Sequence, residues 1–462
     1  MFYVALLLSY VAKVMAIVIP LLKLGSGTTL AGLWIETKWP YLVSYLTKDA
    51  KNVILITGTN GKTTTRSIIV KVFEDQNIPI CTNRGGANIY RGIASALLNN
   101  WNWRGQMKAT TLILEVEEAT LPKLTKYLKA DYLVLTNIFR DQLDAYGEID
   151  KTLEFFRIAI NQCRPRIIIN ADDQKLLSVL DGLATFNNPK KVKRLQGFIE
   201  PKVIPQKMIV NGFKITDSKL ELLDYEESSQ KYSIDFADMT SAYCVENDNL
   251  KAKLSIIYKD SVNTKKLELS TGLIGTYNIY NILAAISLTY PLFGESALES
   301  IATVQPVFGR GEKIIYRNKE IWLFLVKNPA GMNQVLELVS NHFKNQKLNF
   351  SFLINDKIAD GRDVSWLWDC NFESFTQFHC DNQFYTSGSR GLDMLLRLKT
   401  AGLNLTLSNN YSEIQDYLDK LIYKLNIESE KHIILATYTS MMEFRRLLSK
   451  RVELPKINGE GN

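Results

Sequence analysis

The chain is poor in the residues that build several common kinds of site. Only three histidines occur in 462 residues, His342, His379 and His432. That scarcity argues against a His-rich metal centre and against a His-based catalytic triad contained within the chain. The five cysteines, Cys81, Cys163, Cys244, Cys370 and Cys380, are scattered, odd in number and without a C-x-x-C pair. No disulfide framework is expected, and a reducing, cytoplasmic setting is favoured. The net charge of +7 is mild, and no run of Lys and Arg is long enough to argue for nucleic acid. What the chain does have is apolar content, 46% of its residues, enough for real cores. Its length suggests about three domains.

One long apolar run stands out, Phe2 to Leu22, interrupted by Ser9, Lys13, two tyrosines and Pro20. It is about long enough to span a bilayer, but Lys13 near its centre costs roughly 3 kcal/mol in an inserted helix. No small-residue cleavage site of the signal-peptide kind follows it. Two readings remain open: a helix packed on the protein or lying on the membrane surface, and an N-terminal membrane anchor. Residues 1–48 are read as this helix and a loop, Gly25 to Gly32 breaking the helix.

The richest stretch is Ile54-Leu-Ile-Thr-Gly-Thr-Asn-Gly-Lys-Thr-Thr-Thr65. Val53 to Ile56 reads as a buried strand, Gly58 to Gly61 as a turn, and Lys62 onward as a helix with Ile68, Ile69, Val72 and Phe73 on one face. Strand, glycine loop and helix together cradle phosphates. Backbone N–H groups of Gly58, Thr59, Asn60, Gly61 and Thr64 meet the anion, Lys62 adds a point charge, and the Thr63 hydroxyl reaches Mg²⁺. The general phosphate-loop pattern requires Gly at position 56, where Ile56 stands.

From Val53 the pattern alternates strand and helix. Polar clusters follow the apolar strands: Asn83 to Ile89; Glu115, Glu117 and Glu118; Asp141 and Asp144; Asp172 and Asp173. In open α/β sheets ligands bind outside those strand ends, although Asp also caps helices. Residues of about 187–268 read as antiparallel strands inserted into this domain, with Lys207 to Ile215 and Lys253 to Tyr258 as examples. The expected organisation is α/β, with a central parallel-sheet ATPase domain over 49–305 and a C-terminal Rossmann-like α/β domain over 306–462.

Gly58-Thr-Asn-Gly-Lys-Thr-Thr64 resembles the loop of the Mur ligase superfamily, whose members join amino groups to carboxylates using ATP. The resemblance implies Mg²⁺ at Glu115, the strand terminus that carries a metal-binding Glu in the family. Asp141-Gln-Leu-Asp144 resembles the family's Asp-His-Leu-Asp segment, with Gln142 where the family has a metal-binding His. Gly272 to Asn281 resembles Gly-x-His-Asn-x-x-Asn, which makes Asn278 the adenine candidate and puts Tyr277 in place of His. Phe308-Gly-Arg-Gly-Glu312 looks like the family hinge and implies phosphate contact by Arg310.

The C-terminal segments Lys327-Asn-Pro-Ala-Gly-Met-Asn333, Asn355 to Trp366, Thr386 to Arg390 and Thr437 to Met441 resemble the MurT family, over nearly the whole chain. That resemblance implies an ATP-dependent ligase subunit acting on lipid II at the inner face of the membrane, paired with a GatD-type glutaminase. It implies that Asp363 completes the glutaminase's Cys-His pair, with Asp360 as the near alternative. Asn88, Gln142, Lys327 and Asn328 are secondary substrate candidates. Many MurT proteins carry a four-cysteine zinc ribbon in the central insertion. Only Cys244 lies there in this chain, so no zinc is expected and a metal-free β subdomain is. A different Mur-type amino acid ligase and a non-catalytic ATP-binding scaffold are the other two readings.

Overall fold

In the computed structural model the described residues are 2–21, 27–83, 86–139, 148–180, 210–215, 238–248, 251–259, 264–305, 309–316, 318–343, 347–377, 382–427 and 431–454. Gln142, Asp141 and Asp144 lie outside them, as does His379.

Two sheets organise the chain. The first contains β1 (Asn52–Thr57), β2 (Ile80–Thr82), β3 (Thr111–Glu115), β4 (Tyr132–Leu135), β5 (Arg166–Asn170), β6 (Val210–Ile215), β7 (Asp238–Asp248), β8 (Lys251–Lys259) and β9 (Thr264–Thr271). Their spatial order is β2-β3-β1-β4-β5-β6-β7-β8-β9. Period-two alternation along the strands feeds two separate cores. Val53, Leu55, Leu112, Leu114, Leu133 and Leu135 pack on one face with the N-terminal helices. Ile54, Ile56, Ile113, Val134 and Ile168 pack on the other, with the helices Lys62–Asp75 and Thr276–Phe293. A strand buried on both faces reads as a continuous apolar run, which is how β1 reads.

The insertion differs from the expectation in one respect. β6 pairs parallel with β5, and β7 parallel with β6. Only β7–β8 and β8–β9 are antiparallel. These strands extend the central sheet instead of forming a separate antiparallel unit. The side-chain period is two in either direction, so the sequence pattern carries no information on strand polarity. Cys244 lies on β7, and among the described residues no group of His, Cys, Asp or Glu is assembled to hold a metal ion.

The second sheet contains β10 (Arg310–Tyr316), β11 (Lys319–Leu325), β12 (Leu348–Leu353), β13 (Gln383–Ser387), β14 (Asn410–Tyr411) and β15 (Lys431–Ala436), in the order β10-β11-β15-β12-β13-β14. Its β10–β11 hairpin is antiparallel and the remaining pairs are parallel. Glu312 on β10 and Arg445 on the helix Tyr438–Leu448 form an ion pair, each residue being 6% exposed. Removing one member of a buried pair strands the other charge. Arg445→Ala is therefore expected to cost about 3–5 kcal/mol, read as a fall in the denaturant midpoint. A loss within about 0.5 kcal/mol, the range of an ordinary surface substitution, would show that the pair carries no such weight.

The apolar N-terminal run is a helix, Phe2–Leu21, that packs on the protein body. Ser9 and Ala12 are buried. Lys13 donates to the carbonyl of Trp101 and lies 5.2 Å from the Trp103 ring centroid. Tyr10 donates to the Trp103 carbonyl at 2.9 Å. Leu7, Val11 and Val14 face outward. Among the described residues no helix is long and apolar enough to cross a membrane.

Candidate active site

The phosphate loop follows β1 directly, and its shape is set by the end of β4. Asn60 N donates to Asn137 Oδ1 at 2.9 Å while Asn137 Nδ2 donates to Asn60 O at 3.0 Å. This reciprocal pair mimics a backbone ladder with a side chain. Thr136 Oγ1 adds a bond to Asn60 O at 2.7 Å, and Thr59 N donates to Asn137 O at 3.1 Å. Gly58 and Gly61 have φ of +128° and +85°. The helix Lys62–Asp75 starts at Gly61 without any side-chain cap. Its first N–H groups and positive dipole end are left to an anion.

A Cβ on Gly61 would lie 2.1 Å from Asn281 Oδ1. Gly61→Ala is expected to cost about 1–3 kcal/mol in backbone strain and about tenfold in ADP affinity, measured by thermal unfolding and by titration calorimetry. Undiminished affinity would show that the loop geometry is not what binds the nucleotide.

Lys62 is only 8% exposed and turns back into the loop. Its Nζ donates to Gly58 O at 2.5 Å, to Thr59 O at 3.2 Å and to Glu118 Oε1 at 3.1 Å. Thr63 is half-buried in the first turn, and Thr64 is buried with its hydroxyl lacking a hydrogen-bond partner. Glu115, at the end of β3, is 2% exposed. Asn83 brackets its backbone: Glu115 N donates to Asn83 Oδ1 at 2.9 Å, and Asn83 Nδ2 donates to Glu115 O at 2.9 Å. Asn88 Nδ2 donates to Glu115 Oε1 at 3.3 Å. Glu115 Oε2 has no hydrogen bond and lies 3.9 Å from Arg66 Nε. Burial lowers the pKa of both Arg66 and Arg310 from the ordinary arginine range, and Glu115 opposes that shift in each. Both guanidinium groups stay charged at neutral pH. The structure thus brings Glu115, Asn88, Arg66 and Arg310 into one electrostatic unit beside the loop.

A buried carboxylate oxygen without a hydrogen bond, at the end of the strand that pairs with β1, fits a Mg²⁺–nucleotide. Mg²⁺ takes one or two carboxylates and completes its shell with phosphate and water, so a preassembled cage is not required.

A cleft of about 530 Å³ opens between the two sheets, within the size range of small-molecule sites. Gly61, Asn60, Arg310, Lys327 and Asn328 all line it. Asn328 Nδ2 donates to Asn60 Oδ1 at 3.3 Å, tying the second sheet's domain to the loop. Asn278 is not among the lining residues. It is 2% exposed, and its amide donates to Ile274 O at 2.8 Å and accepts from Asn281 Nδ2 at 3.4 Å. The residue that faces the cleft is Asn281, three positions on. The resemblance singles out Asn278, whereas Asn281, one helical turn on, is the asparagine of that motif that lines the cleft. Glu118 and Asn137 are further contributors, assigned no role from sequence. Both come from strand ends, the signal that located the other polar clusters.

The loop after β12 is separate from the cleft, and neither Asp360 nor Asp363 lines it. Asp360 is spent internally, accepting from Thr439 N at 2.7 Å, from the Thr439 hydroxyl and from Lys357 N at 3.2 Å. Asp363 is half-buried and accepts from Ser365 N and Ser365 Oγ, both at 2.8 Å. The Ser365 hydroxyl and N–H, assisted by Arg390, hold its carboxyl below the usual carboxylate range. Asp363 thus presents an ionised carboxylate, with its remaining lone pairs, on a short self-contained turn.

The Mur ligase middle domain family matches residues 56–289, and the MurT ligase C-terminal family matches residues 325–441. The chain is 29% identical to the subunit MurT of the glutamine-hydrolysing lipid II isoglutaminyl synthase of Streptococcus pneumoniae, covering 93% of this chain and 94% of that one. It is 26% identical to the corresponding subunit of Staphylococcus aureus, covering 92% and 94%. Among solved structures, MurF from Acinetobacter baumannii superposes with a TM-score of 0.62 at 12% identity, covering 92% of this chain and 80% of that one. MurF from Thermotoga maritima in complex with ADP superposes with a TM-score of 0.56 at 13% identity, covering 89% and 83%. The structural likeness establishes the shared α/β architecture, and the matched families add the loop-bearing and C-terminal domains: the chain belongs to the Mur ligase family, on its MurT branch.

Proposed function

We propose that the chain is the ATP-using ligase subunit of a lipid II isoglutaminyl synthase, working with a GatD-type glutaminase at the cytoplasmic face of the membrane. It transfers the γ-phosphoryl group of ATP to the α-carboxylate of D-glutamate in the stem peptide of lipid II. Ammonia released from glutamine by the separate subunit attacks the acyl phosphate. Phosphate leaves and D-isoglutamine results. A free carboxylate is a poor acylating group, and phosphorylation supplies the leaving group.

The residues divide this work. The uncapped helix N-terminus and Lys62 hold the phosphates, and Arg310 adds charge where it develops during transfer. Glu115, with the Thr63 hydroxyl, would hold Mg²⁺, which when bound neutralises the phosphate oxygens. Asn88, Lys327 and Asn328 are candidates for orienting the acceptor. The observation that carries the two-subunit reading is Asp363. It is an ionised, half-exposed carboxylate outside the nucleotide cleft, in the domain matched by the MurT ligase C-terminal family. Three of the five cysteines fit the same division. Burial pushes the Cys81 thiol up to about 12 and raises Cys163 and Cys370 as well. A protonated thiol is a poor nucleophile, so none of these three is suited to hydrolyse glutamine. The test is reconstitution with lipid II, MgATP and ammonium chloride: amidated lipid II and stoichiometric ADP support the reading, and their absence with a folded protein overturns it.

A further inference from the structure

One acidic group in the cleft has no part in the phosphate loop. β5 ends at Asn170, and the chain turns through Ala171, Asp172 and Asp173 into the short helix Gln174–Leu177. Asp173 is committed to the fold. Its Oδ1 accepts from Leu176 N at 2.9 Å and its Oδ2 from Ile138 N at 2.8 Å. Asp172 takes no part in that cap. Its Oδ2 accepts from the phenol of Tyr280 at 2.9 Å, joining the strand end to the helix Thr276–Phe293 across 108 residues of sequence. Asp172 and Tyr280 both line the cleft, together with Phe139 and Tyr277.

The location decides the chemistry. β4 lies between β1, which feeds the phosphate loop, and β5, which ends just before Asp172, so Asp172 stands roughly 10 Å along the sheet edge from the loop, away from the triphosphate that would repel it. With the phosphates at Gly61 and the helix N-terminus, the nucleoside occupies the remaining length. Aromatic rings offer it stacking faces. A carboxylate only accepts hydrogen bonds, and its complement in a nucleoside is a donor, either the exocyclic amine of adenine or a ribose hydroxyl. We propose that Asp172, held in place by Tyr280, accepts a hydrogen bond from the nucleoside half of the bound ATP and makes the site selective for the group that donates it. This rests on the ATP reading given above.

The test is titration calorimetry of the full chain with MgADP, with the inosine analogue, which lacks the amine, and with 2′-deoxy and 3′-deoxy ADP. The native chain is expected to bind ADP about tenfold more tightly than the analogue that lacks the contacted donor. Asp172→Ala, at an exposed position, should lower ADP affinity by about the same factor and erase that one preference. Tyr280→Phe, which keeps the ring, should weaken both effects in part. The analogue whose disadvantage disappears identifies the donor as amine or hydroxyl. Unchanged ADP affinity in Asp172→Ala, or lowered affinity with every preference intact, overturns the proposal while leaving the ATP site standing. Failure of the native chain to bind ADP at all overturns the ATP reading itself, and this inference with it.

Discussion

Lys62→Met is expected to lower ATP-dependent turnover by about 10²–10³-fold, the usual loss when a preorganised charge at a transferring group is removed. The fold should survive the change. Met keeps the unbranched stem, and the charge that Lys62 balances on Glu118 sits on a side chain 18% exposed, where water can take over. The carbonyls of Gly58 and Thr59 lose a donor, so a modest stability loss of about 1 kcal/mol is expected as well. Nucleotide affinity should fall far less than the rate, because the backbone N–H groups and the helix N-terminus remain. The measurement is ADP release with lipid II and ammonium, alongside ADP titration. A rate within threefold of the native chain would remove Lys62 from the chemistry. The Lys62 ammonium is folded onto its own loop, so its proposed role requires that at least one of those three contacts be exchanged for phosphate.

Asp363→Asn is expected to abolish the glutamine-driven reaction of the two-subunit complex, by about 10³–10⁴-fold, while the ammonium-driven reaction stays within twofold. The turn should be kept, since an Asn side-chain oxygen still accepts from Ser365 N. What goes is the negative charge that would fix the tautomer of a histidine in the glutaminase and stabilise its cation. Because Ser365 and Arg390 hold the Asp363 carboxyl below its usual range, it is fully ionised at neutral pH, and the pH dependence of the glutamine reaction should report the histidine instead. Asp360→Asn offers a contrast. Asp360 anchors Thr439 at the start of the helix Tyr438–Leu448, so its loss should lower stability and affect both nitrogen sources together. Equal rates from glutamine and ammonium in Asp363→Asn would sink the assignment.

Much of the proposed nucleotide site can be read locally. Gly58, Gly61 and Lys62 belong to one short loop whose proposed role follows from backbone angles and one charge. The strand-end acids were found because an apolar run that stops at a polar cluster marks the carboxyl edge of a sheet. Asp363 is singled out, with Asp360 as the alternative, by the resemblance of one short segment. Three things were not legible. The polarity of β6 was missed because alternation looks the same in parallel and antiparallel strands. Asn278 and Asn281 sit in one motif, and which faces the cleft depends on the rotation of the helix Thr276–Phe293 against the loop. For the apolar Phe2–Leu21 helix, the lysine within it is accommodated by carbonyl and ring contacts from residues 101 and 103, about 90 positions away.

The amino-acid order alone therefore settles the parts that interact over a few residues: the phosphate loop, the alternating α/β pattern and the identity of the acids beside each strand end. The assembly of those parts is a long-range matter. Glu115 comes within electrostatic reach of Arg66 and Arg310 because β3 pairs with β1, which leads into the helix that carries Arg66, and because the start of β10 brings Arg310 near both. Asp360 is consumed by Thr439, and Asp363 is not, only because the loop after β12 folds against the helix after β15. Hydrogen bonds and charges act within a few ångströms of space, and spacing along the chain does not report that distance.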